Sequence, residues 1–132
     1  MKFKLFLLFL ILFSSILAVS AFEIPENYTV VNSSDNFSLL QSDEYHTISI
    51  SHVNVDKDLL KYLLEDSMYD FTYVDNYTKG DWNIEENWYN QEYQRGILYI
   101  CDNGEEQIVI DYKVPVIEDL SDSPVGVILD SL

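Results

Sequence analysis

The sequence contains little cysteine, little glycine and proline, and few basic residues. One cysteine, four glycines and three prolines occur in 132 residues, and seven Lys and Arg side chains stand against 23 Asp and Glu. A single cysteine excludes an intramolecular disulfide, and no internal repeat or low-complexity tract is present. The formal charge of −16 repels phosphate backbones and anionic lipid surfaces. We therefore expect neither nucleic acid nor an anionic membrane surface as a partner.

Motifs for catalysis and cofactor binding are also absent. The sequence has two histidines and no G-x-S-x-G motif. It therefore shows no recognisable set of a nucleophile, a general base and a residue that orients the base. His46 and His52 lie six residues apart on one predicted strand, which separates them by about 20 Å, so they cannot ligate one metal ion. We expect no catalytic residue, no metal site and no cofactor, and an enzyme is the less favoured class.

The acidic segment 75–86 partly matches a calcium-binding loop. Asp75, Gly80 and Glu86 occupy positions 1, 6 and 12 of that pattern. Tyr77 and Lys79 stand where two oxygen ligands are required, and a lysine there adds a positive charge. The sequence therefore disfavours a calcium loop.

The N-terminal residues 1–21 carry the pattern of a secretory signal peptide. Lys2 and Lys4 precede an apolar run, and small side chains follow at Ala18–Ala21. We predict cleavage after Ala21. The alternative is an uncleaved N-terminal membrane anchor, because the 18 residues 5–22 are near the lower limit of about 17 residues for a spanning helix. Both predictions export residues 22–132, as a secreted or a cell-surface protein.

Residues 22–132 form one predicted domain, large enough to bury a core without disulfides. Loss of the signal leaves five basic residues against 23 acidic ones, a formal charge of −18. Cationic partners or metal ions remain compatible with this charge, and a solvated surface that keeps the protein soluble is the simpler explanation. Cys101 ends the apolar run Ile97–Cys101, so we expect a buried, unreactive thiol.

Alternation of apolar and polar residues predicts several strands. His46–Val53 alternates with Ile48 and Ile50 on one face, and strands are also expected at 22–31, 37–41 and 69–74. Asn103-Gly104 predicts a two-residue turn in a central hairpin, in which Tyr99 opposes Ile108. The segment after Trp82 is expected to form an edge strand with one solvated face.

Two helices are predicted. Apolar side chains recur at spacings of one, three and four residues from Asp56 onward, which is typical of an amphipathic helix of about three turns. Ser123-Pro124 predicts the start of a short closing helix. The expected inward residues are Leu59, Leu60, Leu63, Leu64 and Met68 in the first helix, and Val125, Ile128, Leu129 and Leu132 in the second. The expected fold class is α+β: an antiparallel β-sheet with one central amphipathic helix and a short C-terminal helix packed on it.

Two groups of residues are candidates for a role at the surface. Asn27, Asn32, Asn36 and Asn76 each begin an N-x-[ST] triplet without proline, a modest excess over chance, and are candidate N-glycosylation sites. Trp82, Trp88, Tyr89 and Tyr93 are interleaved with amides and carboxylates, a pattern that can hold a sugar or a peptide. Packing of these aromatic rings over the sheet is the simpler interpretation.

The order of elements resembles a known architecture. A strand at Ile24-Pro25, two further strands, a helix, more strands and a closing Ile128–Leu132 segment are similar to the PsbP-like α/β sandwich, and in style to short exported proteins of unknown function from methanogenic archaea. The resemblance implies a fold only, because no functional residue can be carried over.

The leading hypothesis is an exported acidic protein that acts as a non-enzymatic cell-surface or extracellular binding module. Its expected partner is an extracellular protein or a glycan, bound through the segment from Trp82 to Tyr93. The alternatives are a small extracellular hydrolase with paired carboxylates and a structural or assembly protein.

Overall fold

The computed structural model describes residues 22–65 and 70–132, and these form one seven-stranded sheet with two short helices. The predicted export segment and the positions of Met68 and Tyr69 lie outside the described residues. The strands are β1 (Thr29–Ser34), β2 (Phe37–Asp43), β3 (His46–Val53), β4 (Asp70–Lys79), β5 (Trp82–Asn90), β6 (Gln94–Asp102) and β7 (Gln107–Pro115), and the helices are α1 (Lys57–Glu65) and α2 (Val125–Asp130). The predicted antiparallel sheet is confirmed, and the described part of the chain is mostly β.

The strand order decides which strands are interior. All neighbours are antiparallel, in the order β1-β2-β3-β7-β6-β5-β4, so β1 and β4 are the two edges. The hairpin of β6 and β7 occupies the middle of the sheet, as predicted. The prediction of an edge strand after Trp82 is wrong, because β5 lies between β4 and β6. The strands β4 to β7 form a meander in which each strand pairs with the next. Because β7 pairs with β3, the other end of this meander, β4, is an edge of the sheet.

The first face of the sheet contains the hydrophobic core and is covered by α2. Val125, Ile128 and Leu129 of this helix are buried, and Ser123 Oγ accepts the Val125 N–H at 3.3 Å. These three inward positions agree with the prediction, whereas Leu132, also predicted in the helix, lies beyond its last residue and is half-buried against the core. The buried members of the core are Leu40, Ile48, Ile50, Ile84, Ile97, Tyr99, Cys101, Ile108, Ile110, Tyr112, Val114, Leu120, Val125, Ile128 and Leu129.

The second face is covered by α1 over only part of its area. Leu60 is buried and Leu64 is half-buried, and Leu64 lines a small cavity together with Ile100 of β6. Leu59 and Leu63 are 48% and 50% exposed, so the prediction that both face inward is wrong. A nine-residue helix on a sheet buries one stripe of positions spaced by four, and Leu60 and Leu64 take that stripe. Neighbouring positions are rotated by about 100° and face solvent.

The hairpin of β6 and β7 has a four-residue loop, 103–106, instead of the predicted two-residue turn. Asn103 Oδ1 accepts the N–H groups two and three residues later, at 2.9 and 2.7 Å. The side chain of Asn103 thus accepts two backbone N–H groups of the loop. In a two-residue turn, these residues would belong to the second strand and would pair with the first. Tyr99 consequently opposes Ile110 rather than Ile108. Because the offset is an even number of residues, every side chain keeps its predicted face.

The N-terminal strand begins later than predicted. Residues 22–28 precede β1, and Asn27 has a φ of 71° in the turn that leads into it. Phe22 instead packs near His52, with ring centroids 5.8 Å apart. The segment therefore covers part of the first face rather than adding to the sheet. The predicted turn at 32–36 narrows to Asp35 and Asn36, and β1 continues through Ser34.

A glycine on the second face is explained by a close ring contact. Tyr89 of β5 crosses β6 and its hydroxyl donates to Asp111 Oδ1 of β7 at 2.5 Å. A Cβ on Gly96 of β6 would lie 2.6 Å from the Tyr89 hydroxyl and would also collide with the Tyr112 carbonyl oxygen. Only glycine therefore lets this ring span three strands.

Candidate functional site

The four aromatic residues predicted as a binding surface do not share one surface. Trp82 and Trp88 lie on the first face, half-buried and packed against the core. Tyr89 is 0% exposed and lies on the second face, because successive side chains of a strand alternate. Tyr93 is 76% exposed in the connection between β5 and β6. The structure thus brings the two tryptophans to one face and separates Tyr89 and Tyr93 from them.

The two tryptophans belong to a row of side chains that β4 and β5 present on the first face. The turn at Gly80 pairs Lys79 with Trp82, and this register places Asp75 opposite Glu86. We name the row the aromatic strip. It comprises Tyr73, Asp75, Tyr77, Trp82, Glu86 and Trp88. Its two tryptophans are six residues apart on one strand, so the strip is roughly 20 Å long.

One end of the aromatic strip is a pair of rings. Tyr73 opposes Trp88, with ring centroids 5.6 Å apart and planes at 66°, an edge-to-face arrangement. Trp88 Nε1 donates to Glu86 Oε1 at 3.3 Å, which orients the indole. Tyr73 is 53% exposed. The pair is held in position while one ring remains accessible to a ligand.

The centre of the aromatic strip is negative. Asp75 and Glu86 are directly opposed, an arrangement that is unfavourable for two carboxylates. Within residues 22–65 and 70–132 neither carboxylate makes an ion pair, and the adjacent Lys79 pairs with Asp130 of α2 instead. Burial raises the pKa of Tyr77 to about 12, and the charges of Glu86 and Asp75 add to this rise. The strip therefore combines aromatic surface with two uncompensated negative charges.

A groove adjoins the Trp82 end of the aromatic strip. It has a volume of about 490 Å³ and lies between the β4–β5 turn and the end of α2. Lys79, Asp81, Leu129 and Asp130 line it beside Trp82. An elongated ligand on the strip would have room to continue into this groove.

A second polar cluster surrounds His46 at the other side of the first face. Its Nδ1 lies 2.7 Å from Asp43 Oδ1 and its Nε2 lies 2.5 Å from Glu118 Oε2. The hydrogen bond to Asp43 raises the pKa of His46, and Glu118 contributes to the rise. The same bond lowers the pKa of Asp43. His46 and His52 begin and nearly end one strand, as predicted, and the cluster ties β3 to the segment after β7.

The other sequence candidates occupy structural positions. Asp75 and Glu86 lie on paired strands on either side of a tight turn, which is not the geometry of a calcium loop. In the described ranges no group of three His, Cys, Asp or Glu side chains could hold a metal ion. Cys101 is 0% exposed, and burial raises the pKa of its thiol to about 12, so the expectation of a buried thiol is confirmed.

All four candidate glycosylation asparagines are exposed. Asn32 lies on β1 and Asn76 on β4, the two edge strands. Asn27 and Asn36 lie in the turns before and after β1. The triplets therefore cluster at the edges of the sheet.

Sequence reasoning missed Tyr73 and Tyr77 as members of the strip. The predicted strand ended at Val74, and nothing local identifies its partner. The signal that could have found them is the Lys79-Gly80-Asp81 turn, because a two-residue loop there fixes Asp75 opposite Glu86.

No family model, curated protein or solved structure matches this chain. Neither helix of the described residues has the length and apolarity that a membrane span requires.

Proposed function

We propose that this chain is an exported, non-enzymatic binding module, secreted or held at the cell surface, whose ligand surface is the aromatic strip. The N-terminal signal pattern supports export, with the uncleaved anchor as its alternative. The acidic charge supports a soluble protein that avoids nucleic acid and anionic membranes. The observation that carries the proposal is the Tyr73–Trp88 ring pair beside the opposed carboxylates of Asp75 and Glu86, which make no ion pair among the described residues.

The ligand that fits this surface best is an extended segment of an extracellular protein that carries a Lys or Arg side chain. Such a cation would pair with Asp75 and Glu86 and relieve their mutual repulsion. Its neighbouring side chains would pack on Trp88 and Tyr73, where a cation can also contact a ring face. A glycan is the second ligand class, because the carboxylates accept hydroxyl groups and the rings stack on sugars.

The test is a peptide and glycan array probed with the full chain, followed by titration of the best ligand. We expect Trp88→Ala to weaken binding by about tenfold or more, which corresponds to ~1.4 kcal/mol. Tyr93→Ala is the matched control, because this exposed aromatic side chain lies in the connection between β5 and β6 and is not a member of the strip. Binding to a basic peptide should weaken as salt is added. An array without ligands, or equal binding by both variants, would refute the proposal.

A small hydrolase is a second candidate, favoured by the opposed carboxylates of Asp75 and Glu86. Paired carboxylates are the machinery of glycoside hydrolysis. The pair lies on an open strip, which supports binding over hydrolysis because solvent has access to both groups. Incubation with a panel of chromogenic glycosides tests this candidate. Turnover that Glu86→Gln abolishes would establish the hydrolase and remove the non-enzymatic proposal.

An assembly protein linked through cysteine has less support. Cys101 is buried in the core, and a raised thiol pKa suppresses the thiolate that forms disulfides.

We also propose that α1 is an amphipathic cover of the second face, supported by buried Leu60. The PsbP-like resemblance stays a proposal about the fold alone.

A further inference from the structure

The edge strand β4 carries an accessible modification triplet beside a polar groove. Asn76 and Thr78, the first and third residues of the triplet, are both exposed on the second face. They oppose Glu85 and Asn83 of β5. A groove of about 460 Å³ is lined by all four of these residues.

The groove is lined by hydrogen-bonding groups of both kinds. Asn83 and Glu85 supply amide and carboxylate groups, and Lys57 and Asp102, whose charged groups are 3.5 Å apart, close the end next to α1. Ile100 provides an apolar floor. Donors, acceptors and one apolar patch match the hydroxyls and the C–H surface of a sugar ring, and the volume is within the range of about 300 to 1,000 Å³ for ligand sites.

We propose that Asn76 is N-glycosylated and that the first sugars of its glycan lie in the groove between α1 and the β4–β5 hairpin. A membrane oligosaccharyltransferase would supply the glycan from a lipid-pyrophosphate-linked oligosaccharide. The Asn76 Nδ2–C1 bond forms as the C1–O bond to the pyrophosphate breaks, and the amide loses one proton to the transferase. The inference rests on export, because transfer requires the chain to cross a membrane.

The glycan would also close an open edge of the sheet. A ten-residue edge strand is a template for strand addition, and β4 exposes Tyr73 and Val74 along its length. The Asn76 N–H is already held by Asp75 Oδ1 at 2.9 Å. This backbone N–H is therefore not free to bond to another strand. A glycan on the Asn76 side chain would add steric bulk at the same position and block pairing of β4 with another chain.

The test expresses the full chain in a secreting host that performs N-glycosylation, with peptide mass mapping of the product. We expect a hexosamine-containing adduct on Asn76 in most molecules, lost in Asn76→Gln and in Thr78→Ala but kept in Asn32→Gln, the matched control on the other edge. A second preparation carries a proven secretion leader before the full chain. An unmodified Asn76 in the leader-bearing, exported protein overturns the proposal, whereas modification only with that leader overturns export by residues 1–21 and leaves the glycosylation site intact.

The groove is tested by the rate at which an endoglycosidase removes the Asn76 glycan. We expect cleavage to be at least tenfold slower in the native protein than in the denatured one, and Asn83→Ala with Glu85→Ala to reduce that protection. Equal rates in native and denatured protein would overturn the placement of the sugars in the groove.

Size-exclusion chromatography after deglycosylation should show larger species if the glycan protects β4, and an unchanged monomer would overturn that role.

Discussion

The two faces of the sheet differ in how they are closed. On the first face, α2 and the N-terminal segment pack on side chains such as Ile48 and Ile50, which are almost fully buried. On the second face, the same strand presents Thr47, Ser49 and Ser51, which are only half-buried, and α1 covers the region near β4–β6. Along β3 the contrast indicates that the first face is packed more densely than the second. At this strand the second face can therefore carry polar side chains at little cost to the fold.

Truncation of neighbouring residues on β7 provides the strongest test of this comparison. Ile110 is 0% exposed on the first face, whereas Val109 is half-buried on the second. We expect Ile110→Ala to lower the free energy of unfolding by about 2–5 kcal/mol, because it leaves a cavity. Val109→Ala should cost about 1 kcal/mol. Urea denaturation measures both, and similar losses would mean that the two faces contribute equally.

The same comparison can be made within α1. Leu60 is 6% exposed and Leu63 is 50% exposed. We expect Leu60→Ala to lower the free energy of unfolding by about 2 kcal/mol, since it removes the contact between helix and sheet. Leu63→Ala should change it by less than about 0.5 kcal/mol. If thermal and urea unfolding show the larger loss for Leu63→Ala, α1 packs through its other stripe.

The smallest effect is expected at His46, on the rim of the first face. Its pKa is raised in the folded protein, so its stabilising contribution is fully present below the unfolded pKa of about 6.5 and is lost as pH rises through the folded pKa. The pKa of Asp43 is lowered, so its contribution is lost only as pH falls through that lowered value.

We therefore expect His46→Gln to lower the melting temperature by roughly 2–4 °C near neutral or mildly acidic pH. The difference from the original chain should vanish in alkaline buffer. Thermal unfolding over a pH series checks this, with His52→Gln as the matched histidine control. A difference that does not change with pH would mean that charge on His46 contributes nothing.

Elements with strong local signals were predicted well, and those that depend on distant partners were not. β3 has the predicted bounds because alternation from His46 to Val53 is a property of the strand itself. α2 begins at Val125 as its Ser123-Pro124 start indicates. The register of the central hairpin was missed because side chains of the loop, above all Asn103, accept backbone donors and lengthen it.

The aromatic strip shows the limit of local reasoning at the candidate site. The sequence singles out Trp82 and Trp88 because aromatic residues in this segment are interleaved with amides and carboxylates. Tyr89 was grouped with them by proximity along the chain, although adjacent residues of a strand face opposite ways. Tyr73 joins the strip through cross-strand pairing with Trp88, which no single segment encodes.

The sequence by itself determined the acidic charge, the export pattern, the lone cysteine and the alternation that assigns each side chain to a face, because these depend on composition or on neighbouring residues. Only the tertiary structure decided that β7 pairs with β3, that β4 becomes an edge, and that Asp75 meets Glu86 beside two rings. Strand order and register follow from burial and hydrogen bonding summed over distant segments. The placement of the candidate site therefore depends on the complete sheet.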